Sequence, residues 1–177
     1  MKVLLHACCA PCTVMPLREL RAEGADVTLL FANPNIHPYS EWKARLEAFE
    51  EYCAERGLSM LSSQRYGLCD FVTNIKEHIQ KPERCRLCYR MRLRTTARSA
   101  SENGFDAFST TLLVSPYQDC QVIRHEAEAA ADEAGVLFLC RDWRDLFREG
   151  NRVARQLGLY MQKYCGCVFS EYERYAE

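Results

Sequence analysis

One pattern recurs along the chain and restricts its fold: a charged, helix-like stretch, then a glycine, then a short apolar run. A glycine at the end of a helix and ahead of a strand is typical of the helix-to-strand connections of α/β proteins. A further apolar run, Val3–His6, opens the chain. Five strands with helices between them predict a doubly wound, mostly parallel five-stranded sheet, and a helical bundle with apolar connections is the alternative. The glycines are Gly24, Gly57, Gly104 and Gly135, and the runs after them are Val27–Phe31, Leu58–Leu61, Phe105–Ser109 and Val136–Leu139.

Length and composition predict a single α/β domain over residues 1–177 that ends in a C-terminal helical tail. Hydrophobic residues make up 48% and charged residues 27% of the chain, which is ordinary for a globular protein. No apolar run approaches the ~20 residues of a membrane span, and Val3–Leu5 is too short for a signal peptide. We therefore expect a cytoplasmic protein with no membrane partner. The net charge of -1 gives no overall reason to expect a nucleic acid.

Cysteine is the outlier in the composition, with 11 among the 177 residues. A disulfide framework of that density belongs to small secreted proteins, whereas a reducing cytosol keeps the thiols of a chain with its own core free. The odd number also excludes complete pairing within the chain. Metal ligation or redox chemistry is the interpretation that remains.

The turn after the first predicted strand holds three of these thiols. All eight glycines are isolated, so the chain has neither a G-x-G-x-x-G motif nor a P-loop. Doubly wound sheets gather their functional groups at the carboxyl ends of strands, and there the chain places Cys8, Cys9 and Cys12. We therefore expect soft ligands where a nucleotide phosphate usually binds. Adjacent cysteines bridge poorly to each other, which favours Cys8 and Cys9 as two ligands of one metal or cluster.

A second pair of cysteines forms a C-x-x-C motif at a predicted helix start, Cys85 and Cys88. The helix dipole and the neighbouring arginines are expected to lower the pKa of both thiols. The motif alone is compatible with zinc, an iron–sulfur cluster or a redox dithiol. Together with Cys8 and Cys9 it makes four thiols, which fit tetrahedral zinc or a 4Fe–4S cluster.

The third pair, Cys165 and Cys167, flanks one glycine in the C-terminal tail. A disulfide in so small a ring is strained and easily reduced, which suits a two-electron relay, and ligation of a second metal is the competing use. A redox pair favours an iron–sulfur cluster, since structural zinc has no use for a nearby dithiol. The remaining cysteines stand alone and are expected to fill the core or to carry no chemistry: Cys53, Cys69, Cys120 and Cys140.

A basic segment overlaps the C-x-x-C motif and contains a single acid, Glu83. Such local charge on a chain of net charge -1 is typical of a phosphate-binding surface, and a solvated helix face is the alternative. Its basic residues are Lys81, Arg84, Arg86, Arg90, Arg92, Arg94 and Arg98. Three side chains on predicted loops are candidates to stack on or hydrogen-bond an unpaired base: His37, Tyr39 and Tyr117.

Five motifs along the chain occur together, in this order, in one known family. They are Leu4–Cys12 (LLHACCAPC), Asn33–Pro38 (NPNIHP), Glu83–Tyr89 (ERCRLCY), Thr110–Tyr117 (TTLLVSPY) and Tyr160–Cys167 (YMQKYCGC). On these motifs the chain resembles the epoxyqueuosine reductases of the QueH type over nearly its whole length. The family's motif cysteines are all present in this chain.

The resemblance implies a HUP-like, Rossmann-like fold and an iron–sulfur oxidoreductase that works without cobalamin. Its reaction is the reduction of the epoxide of epoxyqueuosine, at the wobble position of tRNA, to the alkene of queuosine. That reaction is the last step of queuosine biosynthesis. The residues that the resemblance implies are Cys8, Cys9, Cys85 and Cys88 as ligands of a 4Fe–4S cluster, and Cys165 and Cys167 as a catalytic, redox-active pair that forms a disulfide.

A second metal ion, iron, beside the cluster is a further expectation, with Cys12 and the thiols of the C-G-C pair as its ligands. The expected partners are tRNA carrying epoxyqueuosine and an electron donor that the sequence does not identify. Two other functions stay open: a zinc-stabilised RNA-binding module without catalysis, and a tRNA-thiolation enzyme of the same fold. The thiolation enzyme needs a serine- and glycine-rich phosphate loop after the first strand, where this chain has cysteines.

Overall fold

Five parallel strands form the centre of the protein, in the order β3-β2-β1-β4-β5. The structure is a computed structural model, and it describes residues 1–176. All five predicted strands are present, and the sheet is parallel throughout rather than mostly so. The strands are β1 (Lys2–His6), β2 (Asp26–Phe31), β3 (Met60–Ser62), β4 (Ala107–Thr110) and β5 (Leu137–Phe138).

Helices connect each strand to the next, as parallel pairing requires. They are α1 (Ala10–Ala22), α2 (Tyr39–Glu55), α3 (Leu68–Ile75), α4 (Glu83–Glu102), α5 (Cys120–Ala134), α6 (Phe147–Gln156) and α7 (Val168–Tyr175). Short 3-10 helices follow β4 at Thr111–Val114 and precede α6 at Arg144–Leu146. α6 and α7 form the predicted C-terminal helical tail. Within residues 1–176, every helix is too short or too polar to cross a membrane.

The chain leaves β1 toward one edge of the sheet and later returns beside β1 to build the other edge. β1 pairs with β2 on one side, Val3 opposite Val27, and with β4 on the other, Val3 opposite Ala107. α1 packs against α2 and α6, and α4 packs against α3 and α5, which places a helical layer on each face. The segments after β1 and β4 therefore diverge to opposite faces and open a crevice at the carboxyl edge.

The length and burial of each strand depend on whether it lies at the centre or at an edge of the sheet. Val3–Leu5 of the central β1 is completely buried, because helices cover both sides of a parallel sheet. The edge strands β3 and β5 have only three and two residues. Three strands begin later than predicted, because the first apolar residue after each glycine still bonds the preceding helix. The N–H groups of Leu58, Phe105 and Val136 donate to Cys53 O (2.9 Å), Ala100 O (3.0 Å) and Ala131 O (3.2 Å), respectively.

Ion pairs join α4 to α5. Glu126 of α5 is 3% exposed and accepts hydrogen bonds from Arg86 at 3.1 Å and from Arg90 at 2.7 Å. Further along the same two helices, Arg94 pairs with Glu133 at 2.5 Å. These contacts turn one face of the basic segment toward α5 rather than toward solvent.

The basic segment is therefore not the free phosphate-binding surface that the sequence predicts. Lys81 and Arg84 share Glu173 of α7, at 2.7 and 2.6 Å, and Arg92 is buried. Among the basic residues of the segment, Arg98 is the one that is exposed and has no carboxylate partner within residues 1–176. Apart from Glu83, which pairs with Arg86 within α4, the acids that pair with these residues lie at least 36 residues away on α5 or on α7, so local charge in the sequence does not reveal them.

Glu126→Gln is expected to lower the free energy of unfolding by about 1–3 kcal/mol, because two guanidinium groups lose the buried carboxylate that satisfies them. Urea denaturation measures this loss. Glu133→Gln is the matched control, since it removes the same charge from the same helix at an exposed pair, and it is expected to cost less than about 1 kcal/mol. Equal losses in the two variants would contradict a structural role for the buried carboxylate.

Candidate metal and redox site

Three sulfurs meet at the carboxyl end of β1. Cys8 and Cys9 form the turn from β1 into α1, and Cys12 lies in the first turn of α1. Their Sγ atoms all lie within 4.8 Å of one another, and those of Cys8 and Cys9 are 3.7 Å apart. Cys9 is buried, whereas Cys8 and Cys12 are half-buried. We call these three residues the N-terminal thiol group, and their spacing allows them to ligate a metal together.

Hydrogen bonds within and around the N-terminal thiol group favour a negative charge on Cys8. The Cys8 N–H donates to Thr111 Oγ1 at 3.1 Å, and the Thr111 hydroxyl donates to Cys8 Sγ at 3.4 Å. Hydrogen bonds from Cys12 and Cys9 hold the pKa of Cys8 well below its usual value. Burial raises the pKa of Cys9, and the bond to Cys8 raises that of Cys12. Gln162 Nε2 donates to Cys9 Sγ at 2.9 Å and to Cys12 Sγ at 3.6 Å.

A buried guanidinium lies beside these thiols. Arg92 of α4 is 1% exposed, and its Nη2 donates to Asn33 Oδ1 at 2.8 Å. Its Nε has no hydrogen-bond partner, and no carboxylate within residues 1–176 pairs with it. After the hydrogen bonds from Cys12 and Cys9, its positive charge is a further cause of the low pKa of Cys8. A buried cation is costly unless an anion compensates it, and the thiolates are the anions at hand.

A polar network holds Arg92 at the ends of the central strands. Asn33 Nδ2 donates to Ala7 O at 2.8 Å, and Asn33 Oδ1 lies 3.2 Å from His6 Nε2. His6 Nδ1 lies 2.9 Å from Thr110 Oγ1. Burial, reinforced by the charge of Arg92, lowers the pKa of His6 to about 3. The imidazole is therefore neutral and adds no second positive charge to the crevice.

Cys85 and Cys88 occupy the beginning of α4, as the C-x-x-C motif predicts. Cys85 is half-buried and Cys88 is buried. Burial raises the pKa of both thiols, that of Cys88 to about 12. The nearby Cys165 and Cys167 also raise the pKa of Cys88, whereas the charge of Arg92 lowers it. The predicted lowering of these two pKa values is wrong, because burial outweighs the attraction of the neighbouring cations.

A second buried arginine anchors the C-G-C segment. Arg45 of α2 is 2% exposed, and its Nε pairs with Glu41 at 2.7 Å. Its two other nitrogens donate to backbone carbonyl oxygens, Nη2 to Tyr164 O at 3.0 Å and Nη1 to Cys165 O at 3.2 Å. The C-terminal tail is thus fixed against α2 by a buried charged side chain.

Gly166 allows the close approach of this segment to the loop after β2. Its φ is 127°, a conformation that favours glycine, and its carbonyl oxygen accepts the His37 N–H at 2.7 Å. A Cβ at this position would lie 3.1 Å from Ile36 Cγ1 and 3.2 Å from Arg45 Nη1. Tyr164 adds a hydrogen bond from its hydroxyl to the His37 carbonyl oxygen. The middle residue of the motif therefore has to be glycine.

The two sulfurs of the C-G-C segment have different surroundings. Cys165 is exposed, and Gln118 Nε2 lies 3.8 Å from its Sγ. Cys167 is buried, its Sγ accepts the Ser170 N–H at 3.3 Å at the start of α7, and it packs with Cys88 in one apolar cluster. Both thiols are free, so the disulfide expected of this pair is not formed in the structure.

The other predicted functional residues are distributed between the core and the surface. Tyr39 and Tyr117 are 54% and 83% exposed, whereas His37 is 1% exposed and its Nε2 has no hydrogen-bond partner. Among the isolated cysteines, Cys53 is buried in the core as expected, and Cys69 is exposed. Cys120 and Cys140 are half-buried.

Comparison with known proteins identifies the family. The family model described as epoxyqueuosine reductase QueH matches residues 3–173. The epoxyqueuosine reductase QueH of Dehalococcoides mccartyi is 39% identical over 176 residues, which cover 99% of this chain and 96% of that protein. The chain belongs to the QueH family. The QueH protein of Thermotoga maritima is 35% identical over 183 residues, which cover 97% of this chain and 91% of that protein.

Two solved structures share the fold of this QueH family member at low sequence identity. The U34-tRNA thiolase NcsA of Methanococcus maripaludis, solved with its [4Fe-4S] cluster, has a TM-score of 0.63 and 16% identity. The match covers 96% of this chain and 61% of the thiolase. A predicted subunit of tRNA methyltransferase from Methanocaldococcus jannaschii has a TM-score of 0.57 and 13% identity, covering 88% of this chain and 74% of that subunit. These matches confirm the predicted HUP-like α/β fold.

Sequence reasoning did not single out Arg45, Asn33 or Gln162 of the QueH site, and it assigned Arg92 to a phosphate-binding surface. The burial of the two arginines could have been predicted from helical periodicity, because buried residues of a helix recur three or four positions apart. Arg45 falls on the same face of α2 as the buried Trp42 and Phe49. Arg92 follows Cys88 and Tyr89 on the buried face of α4 at the same spacing. A charged residue on an apolar face is thus a sign of a buried ion.

Stability is expected to fall below neutral pH, because two histidines are buried in the neutral form. Burial lowers the pKa of His6 to about 3 and that of His37 to about 4, from 6.5. The folded state then binds fewer protons than the unfolded state. Each histidine contributes stability above pH 6.5 that is lost as the pH falls toward its folded pKa, by about 1.4 kcal/mol per pH unit.

Urea denaturation at a series of pH values below neutrality measures this dependence. His37→Gln has no titratable group at this position and is expected to show a shallower loss of stability with acid. A slope equal to that of the wild-type protein would contradict the neutral, buried state of His37.

Proposed function

We propose that this chain reduces the epoxide of epoxyqueuosine in tRNA to the alkene of queuosine, with a 4Fe–4S cluster as its cofactor. Relatives at 39% and 35% identity are named for this activity. The observation that carries the proposal is the N-terminal thiol group beside the buried charge of Arg92, together with the packing of Cys88 and Cys167 in one apolar cluster. A module that only binds RNA has no use for a free dithiol beside a thiol-rich crevice.

We assign the cluster to Cys8, Cys9, Cys85 and Cys88. Four thiolates are the usual ligand set of a 4Fe–4S cluster. Arg92 fits such a group, since its buried charge has an unpartnered Nε and no carboxylate within residues 1–176. Burial raises the pKa of Cys9 and Cys88, and metal ligation is what removes the proton from a buried thiol. The donor set and the charge around it therefore suit the cluster.

When bound, the cluster would supply single electrons at the crevice. The thiols of Cys165 and Cys167 are proposed to give electrons to the substrate two at a time. Two thiols that join in a disulfide release two electrons and two protons. Removal of an epoxide oxygen as water, leaving an alkene, consumes the same two electrons and two protons. Cys165 is the exposed thiol, so we propose that it is the one that faces the substrate. An external electron donor then reduces the disulfide again.

The substrate base has to leave its stack to reach these thiols, as unpaired RNA bases do when proteins bind them. Tyr39 and Tyr117 are exposed and available to stack on it. His37 is not, because it is 1% exposed and lies between the rings of Tyr66 and Phe71, with centroids at 5.7 and 5.1 Å. Its role is to anchor the C-G-C segment through its backbone.

A single metal ion in the N-terminal thiol group is a second candidate, and one distance favours it. Zinc–sulfur bonds of ~2.3 Å in tetrahedral geometry place two sulfurs about 3.8 Å apart, and the sulfurs of Cys8 and Cys9 are 3.7 Å apart. Cys12 would be the third ligand. Cys8 and Cys9 would then not be cluster ligands, and the ion would be the zinc of a module without catalysis. A second iron beside the cluster would instead need Cys12 and the thiols of the C-G-C pair as ligands.

Cys85→Ser combined with Cys88→Ser is expected to abolish bound iron and acid-labile sulfide in protein purified without oxygen, because hydroxyls replace two soft ligands. Cys69→Ser is the control, since it changes an exposed thiol outside the site, and it should keep the wild-type content. Full iron and sulfide in the double variant would refute the ligand assignment. Zinc in place of iron in the wild-type protein would favour the single-ion module.

Cys167→Ser is expected to keep its iron and sulfide yet to form at most about one queuosine per chain, because the remaining thiol has no partner with which to form a disulfide. Mass spectrometry of nucleosides from digested tRNA, after reaction without oxygen and with excess reductant, measures the product. Cys120→Ser is the control, a half-buried thiol away from the C-G-C segment. Sustained turnover by Cys167→Ser would exclude the relay, and loss of a metal by this variant would assign ligation to the pair instead.

A further inference from the structure

Helix α6 presents the free positive surface that α4 does not provide. Gly150 and Ala154 form its buried side against α1, where a Cβ on Gly150 would lie 3.0 Å from Met15 Cγ. The opposite side carries three arginines at the spacing i, i+4 and i+7, which aligns them along one face of a helix. They are Arg148, Arg152 and Arg155, and we call them the arginine stripe.

The arginine stripe is exposed and has no carboxylate partner within residues 1–176. The nearest side-chain partner is neutral: Gln156 accepts a hydrogen bond from Arg152 at 3.4 Å. The one acid in α6, Glu149, points elsewhere and pairs with Arg18 at 3.0 Å. The charges of the stripe are therefore available to a polyanion, whereas the arginines of α4 would first have to give up their glutamates.

Helix α6 begins near the N-terminal thiol group. Phe147, the first residue of α6, lines a small cavity between α1 and α6 together with Cys12. The ring of Tyr117 meets the edge of Phe147 with the centroids 5.9 Å apart, and it is 83% exposed. Gln118, the next residue, lies with its Nε2 3.8 Å from Cys165 Sγ. The first turn of α6, which carries Arg148, thus lies next to an exposed aromatic ring, and the residue after that ring lies near the exposed thiol.

We infer that the arginine stripe binds the phosphate backbone of the RNA substrate and directs one base toward Tyr117 and Cys165. The inference rests on the proposed function, because the RNA is the tRNA that carries the epoxide. At ~1.5 Å per residue the stripe is about 10 Å long, enough to meet successive phosphates of one strand. An RNA strand fits better than an acidic protein, since α6 begins beside an exposed aromatic ring on which a base can stack.

The test measures the affinity of the cluster-loaded protein for an unmodified tRNA transcript over a range of salt concentrations. The stripe variant, Arg148→Gln with Arg152→Gln and Arg155→Gln, is expected to bind ~10-fold more weakly or worse at low salt. The slope of log affinity against log salt is expected to fall by about two to three, one phosphate contact for each arginine. Iron and sulfide content should not change, because these side chains are exposed on the far side of α6.

A control variant removes the same charge elsewhere: Arg94→Gln, Arg124→Gln and Arg141→Gln, each of which pairs with a glutamate. It is expected to keep nearly the wild-type affinity and salt slope. Tyr117→Ala provides a second measurement, since loss of stacking should weaken binding at every salt concentration without changing the slope.

The remaining outcomes distinguish a failure of the inference from a failure of the proposed function. Wild-type affinity and slope in the stripe variant would overturn the inference, while tRNA binding by the wild-type protein leaves the proposed function standing. If the wild-type protein binds no tRNA, both fail. If the stripe variant binds tRNA normally and reacts with dithionite but not with a protein electron donor, the stripe is a docking surface for that donor, and the RNA assignment is wrong.

Discussion

A positive charge is buried at the carboxyl edge of the sheet, and the arrangement of the thiols depends on it. The guanidinium of Arg92 is 1% exposed, and its partner at 2.8 Å, Asn33 Oδ1, is a neutral dipole. Burial of an uncompensated ion costs several kcal/mol even after relaxation, so the fold needs an anion there. Cys8, whose pKa is lowered by its neighbouring thiols and by this arginine, is the group able to provide it. His6 is held neutral by burial, so it adds no second positive charge beside Arg92.

The position of this charge follows from the strand order. β1 lies between β2 and β4, so the segments after β1 and β4 diverge and leave a crevice at the carboxyl edge. In nucleotide-binding sheets, glycine-rich turns there expose backbone N–H groups to a phosphate. Here the turn after β1 carries Cys8 and Cys9, and Thr111 after β4 hydrogen-bonds Cys8 from the other side. The site therefore lies where this fold usually binds a ligand, but its chemistry differs because thiols replace the backbone N–H donors.

Short sequence patterns predicted the strands, the helix-to-strand glycines and the three cysteine motifs, because each depends on a few neighbouring residues. Charge pairing was not predictable in this way. Arg90 looks free in the sequence, since its acid, Glu126, lies 36 residues away on another helix. The pKa direction of Cys85 and Cys88 was misjudged for the same reason, because burial is a tertiary effect. The free cations of α6 are likewise a tertiary feature, because only the fold determines which arginines have a carboxylate partner.

The anchoring of the C-G-C segment explains how its sulfurs stay available for chemistry. Arg45 and the His37 N–H hold the segment through the carbonyl oxygens of residues 164–166, and none of these bonds involves a sulfur. A change in the oxidation state of Cys165 or Cys167 would therefore leave the anchor intact. Such an anchor demands that the backbone pass close to Arg45, and only a residue without a Cβ fits there. The glycine between the two cysteines is thus set by the packing of the segment, and the separation of backbone anchor from side-chain chemistry is its consequence.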